Sequence, residues 1–205
     1  KDGDRKRVLW SFLNMPLVLA IFCVAWTLPK SREVPLLFYF RTKAASLMET
    51  MYYGAYGANL NQKQMRIRCP KARPVEPIFL VDRMLVFKGV ADIITDLGNT
   101  TPVGVYNITK ACERALDSYE SYPSLYLKEY LDVQLNRGPT RIMIYVMRDT
   151  YDFGKPADKY FEVIQQGYDD WEFDHRILST ARKHSLKNDR GGSYKSPRWD
   201  DKTRT

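Results

Sequence analysis

The sequence predicts an α+β fold, and three observations carry the prediction. Runs rich in aliphatic and aromatic residues at 51–56, 78–87, 89–94, 103–108, 126–135 and 140–147 read as five or six strands. One capped amphipathic helix interrupts them after residue 108. Helical patterns at 160–167 and 171–184 then close the chain, a mixture typical of α+β domains.

The elements follow in order. "MYYGAY" is short, aromatic and bounded by glycine, as a strand should be. Residues 57–60 form a loop, and Asn61 caps a short helix through Ile67. "RCP" at 68–70 ends it, and Pro70, Pro74 and Pro77 mark an extended connector. "IFLVDRMLVF", "GVADII" and "VGVYNI" are strands, with "TDLGNTTP" between the last two as a turn. Thr109 is an N-cap for a helix to about Glu120, whose apolar stripe is Ala111, Cys112, Ala115, Leu116 and Tyr119. "YPSLY" breaks that helix, and "YLKEYLDVQL" and "TRIMIYVM" form two more strands across a turn at 137–139. Residues 186–205 are polar, basic and punctuated by Gly and Pro, and read as a disordered tail. The ordered domain is therefore 51–185, with no internal repeat.

Charge excludes one class of partner. The 205 residues carry a net +8, yet 1–50 hold eight Lys/Arg against four Asp/Glu, and 182–205 hold eight against three. Residues 51–181 are left with 16 basic and 17 acidic groups. A nucleic-acid-reading domain carries its positive charge in the folded part, so no nucleic-acid partner is expected. Cys23, Cys69 and Cys112 fit neither a disulfide framework nor a zinc spacing, and His175 and His184 have no ligand partners nearby. No metal site is expected, and the thiols suit a reducing, cytoplasmic setting.

Residues 8–28 run 21 positions without a charge, long enough to span a bilayer, although Ser11, Asn14 and Pro16 weaken the segment. A cleaved signal peptide fits less well, because no small-residue cleavage site closes the run. Two further readings stand beside a membrane anchor for 1–50: a non-native extension upstream of a start at Met51, or part of a longer anchor. A membrane partner is expected only through 8–28.

Two places could carry chemistry. Gly54, Ala55, Gly57 and Ala58 let a ligand approach the backbone where a strand meets a helix, and successive N–H groups there favour a carboxylate or oxyanion. An ordinary strand-to-helix turn has the same spacing, and the pattern is neither a Rossmann nor a P-loop fingerprint. Glu120 follows Leu116 by four residues, which turns it toward the core side, among Tyr119, Tyr122 and Tyr126. Burial among aromatics would raise its pKa, as suits a base that must give its proton back. The competing reading is a solvated glutamate at a fraying helix end. The 14 tyrosines are otherwise packing residues by default.

Together these residues resemble the gamma-glutamylcyclotransferase family, in its small prokaryotic or phage-type, AIG2-like branch. "YYGAYGANLN" is similar to the family's Y-x-A-Y-G-S-N-L opening, "LVFKGVADI" to its next block, and "VGVYNI" with "LDSYESYPSLY" to its G-V-x-Y strand and L-D-x-x-E-G segment. The resemblance spans about 52–170. It implies a small mixed β-barrel of five to six strands flanked by helices. It places the catalytic acid/base on Glu120, the ligand loop on Tyr53, Gly54, Ala55, Tyr56, Gly57, Ala58 and Asn59, and a substrate-contacting tyrosine on Tyr160. Tyr126 and Tyr145 fall where the family has further pocket tyrosines. The implied reaction converts a small-molecule γ-glutamyl amide, of an amino acid or an amine, to 5-oxoproline plus free amine, without a cofactor. Two positions depart from the pattern: Ala58 stands for the serine of Y-G-S-N, and Ser121 for the glycine after the glutamate. Ala58 and the N-terminal segment also motivate a different reading, a non-catalytic binding or interaction module that keeps the fold, with or without a membrane tether through 8–28.

Overall fold

The computed structural model describes residues 50–199, which fall within one compact unit, Ala44–Thr205. The segment 8–28 lies outside the described residues. Among the described residues no helix is long and apolar enough to cross a membrane.

The chain enters at strand β1 (Thr50–Ala55), makes a single 3-10 turn (Ala58–Leu60) and continues as helix α1 (Gln62–Arg68). A long hairpin follows, β2 (Arg73–Phe87) and β3 (Ala91–Thr109), then α2 (Lys110–Tyr119), β4 (Tyr126–Leu135) and β5 (Gly138–Met147). Helices α3 (Asp158–Asp170) and α4 (His175–Lys187) come last. Both expected caps form: the Asn61 side chain accepts from the Gln64 N–H, and Thr109 from the Cys112 N–H. Each satisfies a backbone donor that a helix start would otherwise leave unpaired.

The strands form one mixed sheet in the order β2-β3-β1-β5-β4. β1 lies at its centre, antiparallel to β3 and parallel to β5. A side chain at Gly54 would meet Val103 at 2.8 Å, Ile144 at 3.0 Å and Ile142 at 3.1 Å. The glycine is there for the neighbouring strands. Fully buried Ile108, Leu116, Ile142 and Ile144 belong to the same core, each contributing roughly 1.5–3 kcal/mol by burial.

Two expectations are corrected here. The strands expected at 89–94 and 103–108 are one strand, β3. The turn chemistry between them survives as a bulge, where the register with β2 jumps from Val81↔Thr100 to Arg83↔Thr95. Gly98 donates its N–H to Asp82 Oδ1 at 2.9 Å across that bulge. The sheet is also open, so "barrel" describes it only loosely. Edge strands β2 and β4 meet through side chains, the Arg83–Glu129 ion pair at 2.5 Å and the Asn136 N–H on Glu76 Oε1 at 2.8 Å. Pro74 and Pro77 lack N–H donors and are tolerated because β2 is an edge.

The tail is a third correction. The last helix reaches Lys187, and residues 188–199 lie against the domain. Tyr194 N–H donates to the Lys88 carbonyl at 2.9 Å, and Gly192 carbonyl accepts from Asp152. Gly89, at φ +86°, lies directly under the Tyr194 carbonyl, where any side chain would collide. Composition alone suggested disorder, but tertiary hydrogen bonds hold 188–199, and residues 200–205 lie outside the described residues.

Candidate active site

The 3-10 turn is pinned from outside. Leu60 carbonyl accepts from both Trp171 Nε1 at 2.9 Å and the Tyr106 hydroxyl at 3.2 Å. Asn61 Nδ2 reaches Gln166 on α3 at 3.0 Å. A side chain on Gly167 of α3 would strike Leu60 Cβ at 2.5 Å, so helix and turn touch backbone to backbone. These contacts present residues 57–59 as a fixed rim.

Glu120 comes to that rim from the end of α2, where it is the C-cap residue (φ −82°, ψ 0°) and not part of the helix. Its N–H still bonds the Leu116 carbonyl at 2.8 Å. Ser121 follows at φ +52°, and the Tyr122 N–H closes on the Asp117 carbonyl at 2.9 Å. That is a left-handed helix stop of the kind glycine normally fills. The stop explains why a glycine is at home after the glutamate, and it leaves the carboxylate where the helix end aims it.

Asn59 Nδ2 donates to Glu120 Oε1 at 2.7 Å and to the Tyr53 hydroxyl at 2.9 Å. The amide oxygen of Asn59 accepts from Arg68 Nη1 at 2.9 Å. Arg68 thereby orients Asn59, and Asn59 orients Glu120. Burial pushes the Glu120 carboxyl up to about 7, against the opposing pull of Arg68, the Asn59 bond and Arg198. A carboxyl near 7 exchanges protons readily at neutral pH.

Glu120, Tyr119, Tyr126 and Tyr160 stand between two cavities. The inner chamber, about 30 Å³, is completed by Tyr53, Tyr56, Tyr145, Ala91 and the Gly57–Ala58–Asn59 rim. It has room for about one water-sized group. The outer cavity, about 510 Å³, has Val90 and Leu125 on one side and Tyr194, Ser196, Pro197, Arg198 and Trp199 on the other. Of the residues expected at the site, Tyr53, Tyr56, Gly57, Ala58, Asn59, Glu120, Tyr126, Tyr145 and Tyr160 are brought together. Gly54 and Ala55 are not. They are buried strand residues outside both linings.

Most of the tyrosine hydroxyls are committed. Tyr56 donates to the Tyr145 carbonyl, Tyr126 to the Ala91 carbonyl at 2.6 Å, and Tyr145 to Asp117 Oδ1 at 2.6 Å. Tyr160 differs, since its hydroxyl oxygen accepts from the Ala91 N–H at 3.0 Å, which leaves its proton available to a ligand. Burial holds the pKa of all four hydroxyls above the ordinary tyrosine value, so they act as neutral donors.

Sequence reasoning missed Arg68, Tyr119 and the 194–199 segment. Both guanidiniums stack on Tyr119, Arg68 at 3.7 Å and Arg198 at 4.1 Å from the ring centre. The Trp199 ring lies 5.2 Å from that of Tyr160. No local pattern announces such contacts, although Tyr119 did stand on the predicted apolar stripe. Of the cysteines, Cys69 and Cys112 are free and buried, and burial pushes the Cys69 thiol up to about 12, while Cys23 lies outside the described residues.

Comparison with known proteins identifies the scaffold. No match is found among curated proteins. Among solved structures, a gamma-glutamyl cyclotransferase is similar at a TM-score of 0.59 and 21% identity, covering 75% of this chain and 97% of its own. An uncharacterized protein from Homo sapiens gives 0.58 and 21% over the same shares. YkqA from Bacillus subtilis gives 0.53 and 21% over 71% and 58%. At such identities the likeness establishes the fold. The sequence model of the gamma-glutamyl cyclotransferase, AIG2-like family matches residues 53–172, more than half of the chain and all of the inner chamber. By that match, the chain belongs to the gamma-glutamyl cyclotransferase, AIG2-like family.

Proposed function

We propose that the protein cyclises a γ-glutamyl amide to 5-oxoproline and a free amine, with Glu120 moving the proton. The observation that carries this reading is the Glu120 carboxylate, fixed by Asn59 at 2.7 Å and raised to about 7, at the junction of the two cavities.

The γ-carbonyl oxygen of the substrate enters the inner chamber, and the rest of the molecule occupies the outer cavity. Glu120 takes a proton from the α-ammonium. The freed amine attacks the γ-carbonyl carbon, forming the new C–N bond of a five-membered ring. The developing oxyanion meets the Tyr160 O–H and the Gly57 and Asn59 N–H groups, which neither hydrogen bond of the 3-10 turn uses. Protonated Glu120 then gives its proton to the departing nitrogen as the old C–N bond breaks, and the second proton of the ring nitrogen passes through Glu120 to the freed amine, leaving a neutral lactam and an ammonium. Because the nucleophile belongs to the substrate, the protein mainly orients and exchanges a proton. Ala58 costs this scheme little, since the rim works through backbone groups.

The test incubates the full chain and its Glu120→Gln variant with γ-glutamyl amino acids and γ-glutamyl alkylamines, and quantifies 5-oxoproline. Glu120-dependent release is expected. A folded wild-type protein that binds these amides without releasing 5-oxoproline would overturn the reading in favour of a binding module.

A further inference from the structure

The outer cavity is walled on one side by residues that lie beyond the family-matched stretch 53–172. Among them, Arg198 contributes its guanidinium. The residue is exposed, and its guanidinium donates from Nη1 to the Tyr119 carbonyl at 3.1 Å and lies on the Tyr119 ring. Among the described residues no carboxylate is within ion-pair distance of it. Arg68, on the same ring, bonds only neutral amide oxygens, those of Asn59 and Gln64. Arg198 thus brings a cation to the wall of a cavity whose carboxyl, Glu120, burial pushes up to about 7, while Arg68 lies on the same Tyr119 ring outside the cavity lining. Such a cavity attracts an anion.

We propose that Arg198 anchors a substrate carboxylate in the outer cavity, and that the 194–199 segment is this chain's specificity-determining wall. The inference rests on the cyclotransferase reading for the identity of the substrate, but not for the existence of the anion site. Arginine suits the role because its planar fork can keep one N–H on Tyr119 and offer others to a carboxylate. A cavity of about 510 Å³ is within the range for small-molecule sites. Trp199 and Val90 provide an apolar lining beside the charge, so the preferred ligand pairs a carboxylate with an apolar body. A γ-glutamyl amino acid offers two carboxylates, one on the glutamyl end and one on the leaving amino acid, and both have the chemistry the guanidinium reads.

Binding to the full-length Glu120→Gln chain, followed by calorimetry, separates these sources without requiring turnover. Three probes are compared before and after adding Arg198→Gln: γ-glutamyl-phenylalanine, γ-glutamyl-phenethylamine and 4-aminobutyryl-phenethylamine. The second lacks the leaving-group carboxylate, and the third lacks both. Weakening of only the first, by about 20-fold or more, assigns Arg198 to the leaving amino acid. Equal weakening of the first and second, beyond the third, assigns it to the glutamyl end. Either supports the anchor, and Arg198→Lys should then recover part of the loss. If Arg198→Gln changes all three affinities by less than threefold, or all equally, the proposal is overturned. Absence of 5-oxoproline from the wild-type chain would sink the catalytic reading and leave the binding result standing.

Discussion

The inner chamber and the outer cavity share four residues and differ in almost everything else. The chamber is narrow, its rim is pinned by Trp171, Tyr106 and α3, and the hydroxyls of Tyr56, Tyr126 and Tyr145 in it are already donated to fixed partners. The outer cavity is some seventeen times larger by the two volumes, 510 against 30 Å³, and five of its twelve lining residues belong to a segment without regular secondary structure. A reaction that moves one proton between atoms within hydrogen-bond reach needs the first kind of construction. Discrimination between leaving groups can be built by the second, and altered there without disturbing the first.

The sharpest way to break this division is Glu120→Gln. Turnover should drop by roughly a thousandfold, the upper part of what a general base contributes, while binding in the outer cavity persists. The same variant carries a stability signature. Burial raises the Glu120 pKa, so the folded protein binds a proton the unfolded chain has lost between its ordinary value and about 7. Wild-type stability therefore falls as pH rises through that window. The melting temperature of Glu120→Gln should match wild type near pH 5 and exceed it at pH 8; a constant difference would show that the carboxyl is not raised.

Packing gives the next largest contrast. Leu116→Ala, in the core beneath the chamber, should cost about 2–5 kcal/mol by denaturant titration. Trp199→Ala, on the half-buried outer wall, should cost about 1 kcal/mol or less and act mainly on KM. Comparable losses at the two sites would erase the distinction drawn above.

Asn59→Ala probes the link that holds the base. It removes a donor that lowers the Glu120 pKa, so the acid limb of kcat/KM against pH should move upward from about 7. Leaving the Tyr53 hydroxyl and Arg68 without that partner should also cost about 1–3 kcal/mol. An unmoved profile would mean the hydrogen bond does not set the protonation of Glu120. The smallest effect on activity is expected at Ser121→Gly, which relieves a left-handed residue and should add about 1 kcal/mol of stability, with turnover little changed.

The sequence was most legible where the governing interactions are local. Asn61 and Thr109 cap helices because a short polar side chain needs only its own next turn. The Leu116 stripe correctly turned Glu120 inward, since the period of a helix carries direction as well as identity. The chamber tyrosines were found by resemblance and not by spacing. What depended on distant partners was hidden. The polar composition of 188–199 conceals a bond from Tyr194 to a hairpin more than a hundred residues upstream. Gly54 looked like a ligand-loop glycine, but Val103, Ile142 and Ile144 explain it as a packing position. Likewise, turn residues at 96–99 formed a bulge because β2 offered Asp82 across from Gly98.

The open seam between β2 and β4 has a mechanical consequence. A closed barrel fixes its own circumference, because widening it stretches every ladder at once. In this sheet the seam is joined by the Arg83–Glu129 pair and the Asn136–Glu76 bond, together about 1–2 kcal/mol for partly exposed contacts, where a barrel would have a hydrogen-bonded ladder. Its curvature is thus a soft coordinate, compliant along the β2 and β4 edges and stiff at β1, where the strand is bonded on both sides. The rim that follows β1 is mounted on the stiff centre, so thermal breathing of the edges reaches it last.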